Sequence, residues 1–313
     1  MSSGCRVKPG IPFSGWPFLP QVAQNPLSMH WQTSRFLIDL ARPRLMGIVN
    51  LTPDSFFDGG RHPGTREALA HCEALVAQGA DILDLGAESS RPGAPRVPLE
   101  EELARVLPVL REAVKLGVPI SVDTCKPETM RAALAEGADI INDIWALRQP
   151  GAREAVAGHP GCGVCLMHMH GEPRTMQRSP LAGDAVPQVL AFLQQQSALL
   201  LALGVDRSRI VWDAGVGFGK TVEQNFSLLA RQQELLAAGY PVLAAWSRKS
   251  SLGTVTGLPV DERLVPSVAA ALMAVERGAR IVRVHDVQQT AAALKVWTAT
   301  IFPAHHPGSG STP

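Results

Sequence analysis

The middle of this 313-residue chain repeats one pattern, in which a short apolar run ending in a polar residue precedes a longer segment rich in Ala and Leu. Such alternation predicts a strand, a helix and the next strand in succession. The short runs occupy residues 45–50, 81–86, 118–123, 138–142, 163–168, 209–213, 240–246 and 279–285. Eight units predict an α/β fold of the (β/α)8 barrel type, whereas the alternative, a doubly wound sheet, usually needs fewer strands.

The segments between the runs contain signals for helix boundaries. Thr65 is a predicted N-cap for a helix over 65–78. A helix predicted over 99–116 has an acidic first turn, which suits the positive end of its dipole. The two longest helices are predicted over 186–204 and 262–278. Glycine commonly ends helices in the left-handed conformation, and it stands at the predicted ends at Gly79, Gly117, Gly137, Gly204, Gly239 and Gly278.

The composition favours one large buried core and no strongly charged surface. The chain is 46% hydrophobic, and its 29 basic and 28 acidic residues leave a formal charge of +1. We therefore expect neither a nucleic-acid partner nor a membrane partner. We expect one catalytic domain over residues 31–302, with flexible tails at 1–30 and 303–313.

Cysteine usage and hydropathy predict the cellular location. Five cysteines without a framework spacing are typical of reduced thiols in a cytoplasm. Residues 1–30 contain five prolines and no apolar stretch of the kind that secretory signals carry. No uncharged run reaches the roughly 18–20 residues that a membrane-spanning helix needs. The sequence thus predicts a cytoplasmic protein.

A barrel of this type carries its active site where the strands end. Each predicted strand is followed by polar side chains, namely Asn50, Glu88, Asp123, Asn142, His168, Asp213, Ser247 with Arg248 and Lys249, and Arg283 with His285. Any one of them could serve an ordinary turn. Amides, carboxylates and bases at eight consecutive strand ends instead predict a functional site at the mouth of the barrel.

Two loops suit an anion or a metal ion. In NLTPDSFFDGG (50–60), the Asn50 carbonyl oxygen can bind a hard metal ion or the side chain can meet an anion, and the glycine-flanked loop can act as a lid. The alternative is a turn-rich loop without a ligand. In GAESSRPGA (86–94), the hydroxyl of Ser90 and the guanidinium of Arg91 suit a phosphate group.

Three strand-end acceptors suit a nitrogen-rich ring. Asp123, Asn142 and Asp213 face a common mouth in the predicted barrel. A guanidine-like ring edge offers several N–H donors and needs such acceptors. Asp143 has a different prediction, because it can simply cap the turn that follows it.

The stretch CGVCLMHMH (162–170) superficially matches a zinc site through its cysteines and histidines. The run reads as a buried strand, on which side chains alternate between faces. Cys165 then faces opposite to Cys162 and His168, so core cysteines are the preferred interpretation. Met167 can form part of an apolar wall.

The stretch AGVGFGKT (214–221) fits the spacing of a phosphate-binding P-loop when alanine is allowed in first place. It follows the sixth short run, however, and Asp213 immediately before it would repel a phosphate. We therefore expect the glycines to bring Phe218 to the site, and Lys220 and Thr221 to begin the next helix. Phosphate binding is expected at Arg283 and His285 instead, which alternate onto one face near Lys249.

Taken together, the ordered motifs MGIVNLTPDSF, ESSRPGA, SVDTCKP, INDI, LMHMHGEPRTM, DAGVGFGKT, SRKS and RVHD, over residues 44–302, resemble the dihydropteroate synthase family. The resemblance implies a TIM barrel, usually a homodimer, that is a transferase of folate biosynthesis and a sulfonamide target. Such enzymes join 6-hydroxymethyl-7,8-dihydropterin diphosphate to 4-aminobenzoate by an SN1-like path, with Mg²⁺ assisting.

The resemblance also implies a role for each matching residue. Catalysis falls to Asp123, Lys249, Arg283 and His285. The pterin contacts are Asp123, Asn142, Ile144, Met167, Asp213, Phe218, Lys249 and Arg283. The diphosphate contacts are Asn50, Ser90, Arg91, Arg283 and His285, with Asn50 near the Mg²⁺. The 4-aminobenzoate contacts are Phe56, Arg91, Pro92, Phe218 and Ser250.

The chain departs from the family pattern at several positions, namely Phe57, Ser90, Cys125, Ala214, Val216, Ala245 and Trp246. Phe57 and Trp246 are expected to add bulk near the aminobenzoate and pterin regions. Two alternatives remain open from the sequence. One is a barrel methyltransferase domain that handles methyltetrahydrofolate, and the other is an inactive pterin-binding paralogue.

Overall fold

The computed structural model describes residues 29–52, 63–88, 96–173 and 175–301. Eight parallel strands follow one another in chain order around a barrel that closes between the last strand and the first, which confirms the predicted (β/α)8 fold. The barrel strands are β3 (Arg44–Asn50), β4 (Ile82–Gly86), β5 (Ile120–Asp123), β6 (Ile140–Asp143), β7 (Gly163–Met167), β8 (Ile210–Asp213), β9 (Val242–Ala244) and β10 (Ile281–Val284).

Helices surround the barrel between successive strands. Those in the described part of the chain are α1 (Pro63–Ala77), α2 (Leu99–Ala113), α3 (Pro127–Ala135), α4 (Ala152–Ala157), α5 (Ala185–Ala202), α6 (Val222–Ala230), α7 (Gln232–Leu236), α8 (Ser250–Thr256), α9 (Leu264–Glu276) and α10 (Val287–Ile301). None of them is long and apolar enough to cross a membrane. The six glycines predicted to end helices all have positive φ, from 75° at Gly117 to 104° at Gly79.

Some predicted boundaries are wrong. Helix α1 begins at Pro63, so Thr65 lies inside the helix and is not its N-cap. Proline suits the first helical turn because its φ is preset and its missing N–H would be unpaired there. The helix predicted over 99–116 changes to a 3₁₀ turn at Val114, although its acidic first turn is confirmed. The helix predicted from residue 262 begins at Leu264.

A two-stranded antiparallel hairpin, β1 (His30–Gln32) and β2 (Leu37–Asp39), covers the amino-terminal end of the barrel. Trp31 is fully buried against inward-facing residues from the first positions of several strands, such as Ile82 and Ile140. Its indole N–H donates to the Arg209 carbonyl oxygen at 2.9 Å. This hairpin was not predicted from the sequence, because strands of three residues are too short to show a period.

Side chains of the barrel strands divide between an inner and an outer core. Cys165 packs inside the barrel with the hairpin, whereas Cys162 belongs to the outer core between strands and helices. Alternation along β7 separates these two thiols, as predicted. The C-x-x-C pair therefore does not converge on one ligand.

Candidate active site

A cavity of about 480 Å³ opens where the barrel strands end. Its lining includes seven residues that the sequence predicted for the site, namely Asn50, Asp123, Phe218, Lys249, Ser250, Arg283 and His285. Met176 also lines it and was not predicted as a contact. The predicted contacts Phe56, Ser90, Arg91 and Pro92, and the departure at Phe57, lie outside the described residues.

Arg283 on β10 forms two ion pairs with carboxylates on β4 and β5, which lie beyond β3 in the barrel. Its Nε donates to Asp84 Oδ2 at 2.6 Å, and its Nη2 donates to Asp123 Oδ2 at 2.8 Å. Asp84 is fully buried on β4 and was not predicted as a site residue. The sequence contains a signal for this role, because a carboxylate inside an otherwise apolar strand needs a buried partner.

The Asp123 carboxyl group has a perturbed proton affinity. Burial raises its pKa to about 7, the charge of Arg283 opposes that rise, and the charges of Asp84, Asp143 and Glu102 add to it. Perturbed carboxyl groups in a cleft are typical of functional sites. Asp123 can therefore change charge near neutral pH, at the edge of the cavity.

Lys249 follows β9 and lines the same cavity as Asp123 and Arg283. Its ammonium lies 4.3 Å from the centre of the Phe218 ring, within cation–π range. Burial lowers the pKa of Lys249 to about 8, against the charge of Asp213, which raises it. Burial in turn raises the pKa of Asp213, whose Oδ1 accepts the Gly215 backbone N–H at 2.7 Å.

The glycine-rich loop after β8 turns sharply toward β7. Gly215 and Gly219 have φ of 66° and 67°, and a Cβ on either would collide with the carbonyl oxygens of His168 and His170. Only glycine fits there. The loop thereby delivers Phe218 to the cavity, as the sequence analysis expected.

Lys220 and Thr221 have different roles in that loop. Thr221 is the N-cap of α6 and forms a capping box with Gln224. The prediction that Lys220 begins the helix is wrong, because α6 begins at Val222. Lys220 is instead buried, and its Nζ donates to three backbone carbonyls. The acceptors are Gly215 at 2.8 Å and Phe218 and His168 at 3.2 Å.

Replacing Lys220 by methionine should lower the free energy of unfolding by about 1–3 kcal/mol, because three buried carbonyls lose their donor. Urea unfolding followed by circular dichroism measures this loss. The control is Lys295→Met on the exposed side of α10, which should change stability by less than about 0.5 kcal/mol. Equal effects of the two substitutions would contradict the loop-bracing role.

Four other predicted pterin contacts do not line the cavity themselves, and of these Asn142, Met167 and Asp213 are buried whereas Ile144 is partly buried. Met167 and Ile144 pack in an apolar cluster with Phe218 and Met176. Asn142, at the end of β6, donates from Nδ2 to Asp84 Oδ2 at 3.1 Å. Asp213 is likewise buried behind the glycine-rich loop.

The structure corrects the prediction for Trp246 and bears out the one for Asp143. Trp246 is buried in the outer core and packs on Phe226 of α6, with ring centres 5.3 Å apart, so it adds no bulk to the pterin region. Successive side chains after β9 point to opposite faces, and Ala245 takes the inner one. Asp143 caps its turn by accepting the backbone N–H groups of Trp145 and Leu147.

Three further strand-end residues are held by local partners. His285 Nδ1 lies 2.9 Å from Ser247 Oγ. Arg248 has a φ of 57° and pairs with Asp286 at 2.6 Å, so it braces the loop after β9. Glu88 pairs with Lys126 at 2.5 Å.

Asn50 is the predicted metal ligand, and its side chain is exposed into the cavity at the end of β3. Among the described residues, no group of three or more His, Cys, Asp or Glu side chains could hold a metal ion. This arrangement is compatible with a hard metal ion that binds the Asn50 carboxamide oxygen. Water and substrate phosphate oxygens would supply its other ligands.

Comparisons with known proteins show the family to which the chain belongs. The family described as "Pterin binding enzyme" matches residues 46–285. The dihydropteroate synthase of Neisseria meningitidis serogroup B is 52% identical over 275 residues, which cover 86% of this chain and 96% of that protein.

Two solved structures share the fold at similar identity. The dihydropteroate synthase of Xanthomonas albilineans with 4-aminobenzoic acid has a TM-score of 0.82 at 48% identity, covering 88% of this chain and 98% of that one. The Burkholderia cenocepacia dihydropteroate synthase complexed with 7,8-dihydropteroate has a TM-score of 0.80 at 51% identity, covering 87% and 96%.

Proposed function

Because this chain belongs to the dihydropteroate synthase family of pterin-binding enzymes, we propose that it joins 6-hydroxymethyl-7,8-dihydropterin diphosphate to 4-aminobenzoate and releases diphosphate. One observation carries the proposal. A single cavity brings together two groups for the pterin ring, the carboxylate of Asp123 and the ammonium of Lys249, with two groups for a diphosphate, Arg283 and His285.

The pterin ring binds at the inner end of this site. Asp123, Asn142 and Asp213 accept hydrogen bonds from its N–H groups, and Lys249 donates to its carbonyl oxygen. The ring packs against an apolar wall of Ile144, Met167 and Phe218 and stacks on the Arg283 guanidinium. The Arg283–Asp123 ion pair supports this arrangement, because it holds the guanidinium at the carboxylate that the ring must meet.

The diphosphate binds at the outer end. Arg283 and His285 take its charge, with Asn50 nearby and with Ser90 and Arg91, which lie outside the described residues. A Mg²⁺ held by Asn50 and phosphate oxygens would neutralise further charge on this leaving group.

The reaction follows an SN1-like path. The bond between the pterin methylene carbon and the diphosphate oxygen breaks, and both electrons leave with the diphosphate. The ring electrons and the ionised Asp123 stabilise the cationic methylene. The amine of 4-aminobenzoate then attacks this carbon and loses one proton to solvent. Phe218 and Ser250 contact the aminobenzoate, together with Phe56, Arg91 and Pro92 outside the described residues.

A turnover assay tests this function. The purified chain, the pterin diphosphate, labelled 4-aminobenzoate and Mg²⁺ should yield labelled dihydropteroate, and EDTA should abolish the yield. Absence of product would contradict the proposal in favour of an inactive pterin-binding protein. Methyl transfer from methyltetrahydrofolate, in place of this condensation, would favour the methyltransferase alternative.

The active protein is a homodimer that pairs through helices α9 and α10. These two helices pack on each other and carry exposed apolar side chains, with Val265 at 75%, Val296 at 68% and Met273 at 49%. Exposed apolar side chains along adjacent helices are typical of an oligomer interface. A second copy suits this surface because closed symmetric pairing buries the same helices on both chains.

Substituting glutamate for Val265 should therefore convert the dimer to a monomer, because a buried unpaired charge opposes association. Sedimentation velocity measures the mass. Leu199→Glu on α5, where Leu199 is 38% exposed, is the control and should remain dimeric. A wild type that sediments as a monomer would contradict the proposal.

The protein functions in the cytoplasm. The four described cysteines, Cys72, Cys125, Cys162 and Cys165, are unpaired, which suits a reducing compartment. Fractionation of cells that express a tagged chain tests this location.

A further inference from the structure

Asp84 connects three strands beneath the cavity. Its side chain is fully buried on β4, and its Oδ2 accepts both Arg283 Nε of β10 at 2.6 Å and Asn142 Nδ2 of β6 at 3.1 Å. Its Oδ1 has no hydrogen-bond partner among the described residues. Burying a carboxylate is costly, so this position is not explained by stability alone.

The contact with Asp84 determines how the Asn142 amide is turned. A carboxylate paired with a guanidinium only accepts hydrogen bonds, so the amide must present its NH₂ group to Asp84. The Asn142 carbonyl oxygen consequently points away from Asp84. The hydrogen bond to Asp84 thus uses the NH₂ group of the amide, and the oxygen is the atom with which this side chain can accept.

Asp84 also determines the direction of the Arg283 guanidinium. The group is planar, so binding at Nε restricts where its two terminal nitrogens can point. With Nε on Asp84, Nη2 reaches Asp123 at 2.8 Å. Asp84 therefore orients two side chains that the proposed function places at the pterin, and it does so without lining the cavity.

We propose that Asp84 is a positioning residue that makes the site specific for the N–H-rich edge of the pterin ring, by presenting Asn142 as an acceptor and holding Arg283 against Asp123. This inference rests on the proposed function. It predicts that loss of the Asp84 charge affects the pterin substrate selectively and leaves 4-aminobenzoate binding almost unchanged.

The test is Asp84→Asn, which keeps the shape and removes the charge. The KM for the pterin diphosphate should rise at least 10-fold, which corresponds to about 1.4 kcal/mol. The KM for 4-aminobenzoate should stay within about 2-fold. Calorimetry with 6-hydroxymethylpterin, which cannot react, should show the same weakening. In the pH profile of kcat/KM, the acid limb that reports ionisation of Asp123 should move to lower pH, because the nearby negative charge of Asp84 has been removed.

Asp139→Asn is the matched control. Asp139 is another fully buried carboxylate ion-paired with an arginine, Arg35, at 2.6 Å, and it lies by the hairpin at the opposite end of the barrel. This variant should lose stability but keep both KM values and the pH limb. An Asp84→Asn variant that behaves like the control, or that weakens both substrates equally, would overturn the inference.

A measurement on the wild type covers the case in which Asp84→Asn does not fold. Neutron diffraction should show two deuterons on the Asn142 side-chain atom nearest Asp84, and a bare oxygen there would overturn the inference. Failure of the proposed function is separable. A wild type that binds 6-hydroxymethylpterin without forming dihydropteroate contradicts the activity, and calorimetry then decides the role of Asp84.

Discussion

Replacement of Arg283 by methionine is expected to lower kcat/KM roughly 10³-fold, which corresponds to about 4 kcal/mol of transition-state stabilisation. The guanidinium is expected both to take charge from the departing diphosphate and to hold Asp123 in place. Steady-state kinetics at saturating 4-aminobenzoate and varied pterin diphosphate measures the loss.

The same substitution should lower the free energy of unfolding by about 3–5 kcal/mol, because it leaves the fully buried Asp84 and the partly buried Asp123 without their cation. Arg35→Met is the control, since it removes the cation of another fully buried aspartate, Asp139, from an ion pair of the same 2.6 Å length far from the site. That control should lose stability and retain kcat/KM. Arg283→Met activity within tenfold of wild type would refute the proposed role.

Replacement of Asp123 by asparagine is expected to lower kcat/KM roughly 100-fold, about 2.7 kcal/mol, because a charged acceptor for the pterin is lost. It should also remove the acid limb of the kcat/KM profile, which reports groups of the free enzyme. In the wild type this limb should lie near the Asp123 pKa of about 7, with activity rising as the carboxyl group ionises. Asparagine cannot ionise.

Stability should respond to pH in the opposite direction. The folded pKa of Asp123, about 7, lies above its ordinary value of 3.8, so the folded protein holds this proton more tightly. The resulting stabilisation is complete below the unfolded pKa and is lost as pH rises through about 7. Asp123→Asn should flatten this slope in denaturant titrations at several pH values.

Asp143→Asn is the control for the pH profile of kcat/KM. Burial raises the Asp143 pKa to about 7 as well, but the Asp143 carboxylate caps a turn and does not line the cavity. This variant should reduce the pH slope of stability and shift the acid limb without removing it. Persistence of the limb in Asp123→Asn would assign it to another group.

Local pattern was sufficient for the barrel and for the residues at its strand ends. Strand and helix periods are properties of neighbouring residues, and eight repeats leave few topologies. Because parallel strands all end at one mouth, Asp123, Lys249, Arg283 and His285 could be grouped before their distances were known. Glycines at the turns were equally readable, since only glycine adopts their positive φ cheaply.

The tertiary structure alone decided which partner each buried polar group takes. Arg283 and Asp84 lie 199 residues apart in the chain, and their contact depends on the closing of the barrel between β10 and β3. Lys220 resembled a phosphate-binding lysine by spacing but is buried beneath its own loop, and Trp246 turned outward. The sequence by itself determined the backbone scaffold and the edge where chemistry collects, because these follow from local periodicity. Side-chain partners required the folded barrel, because burial and long-range pairing set hydrogen bonds and pKa values.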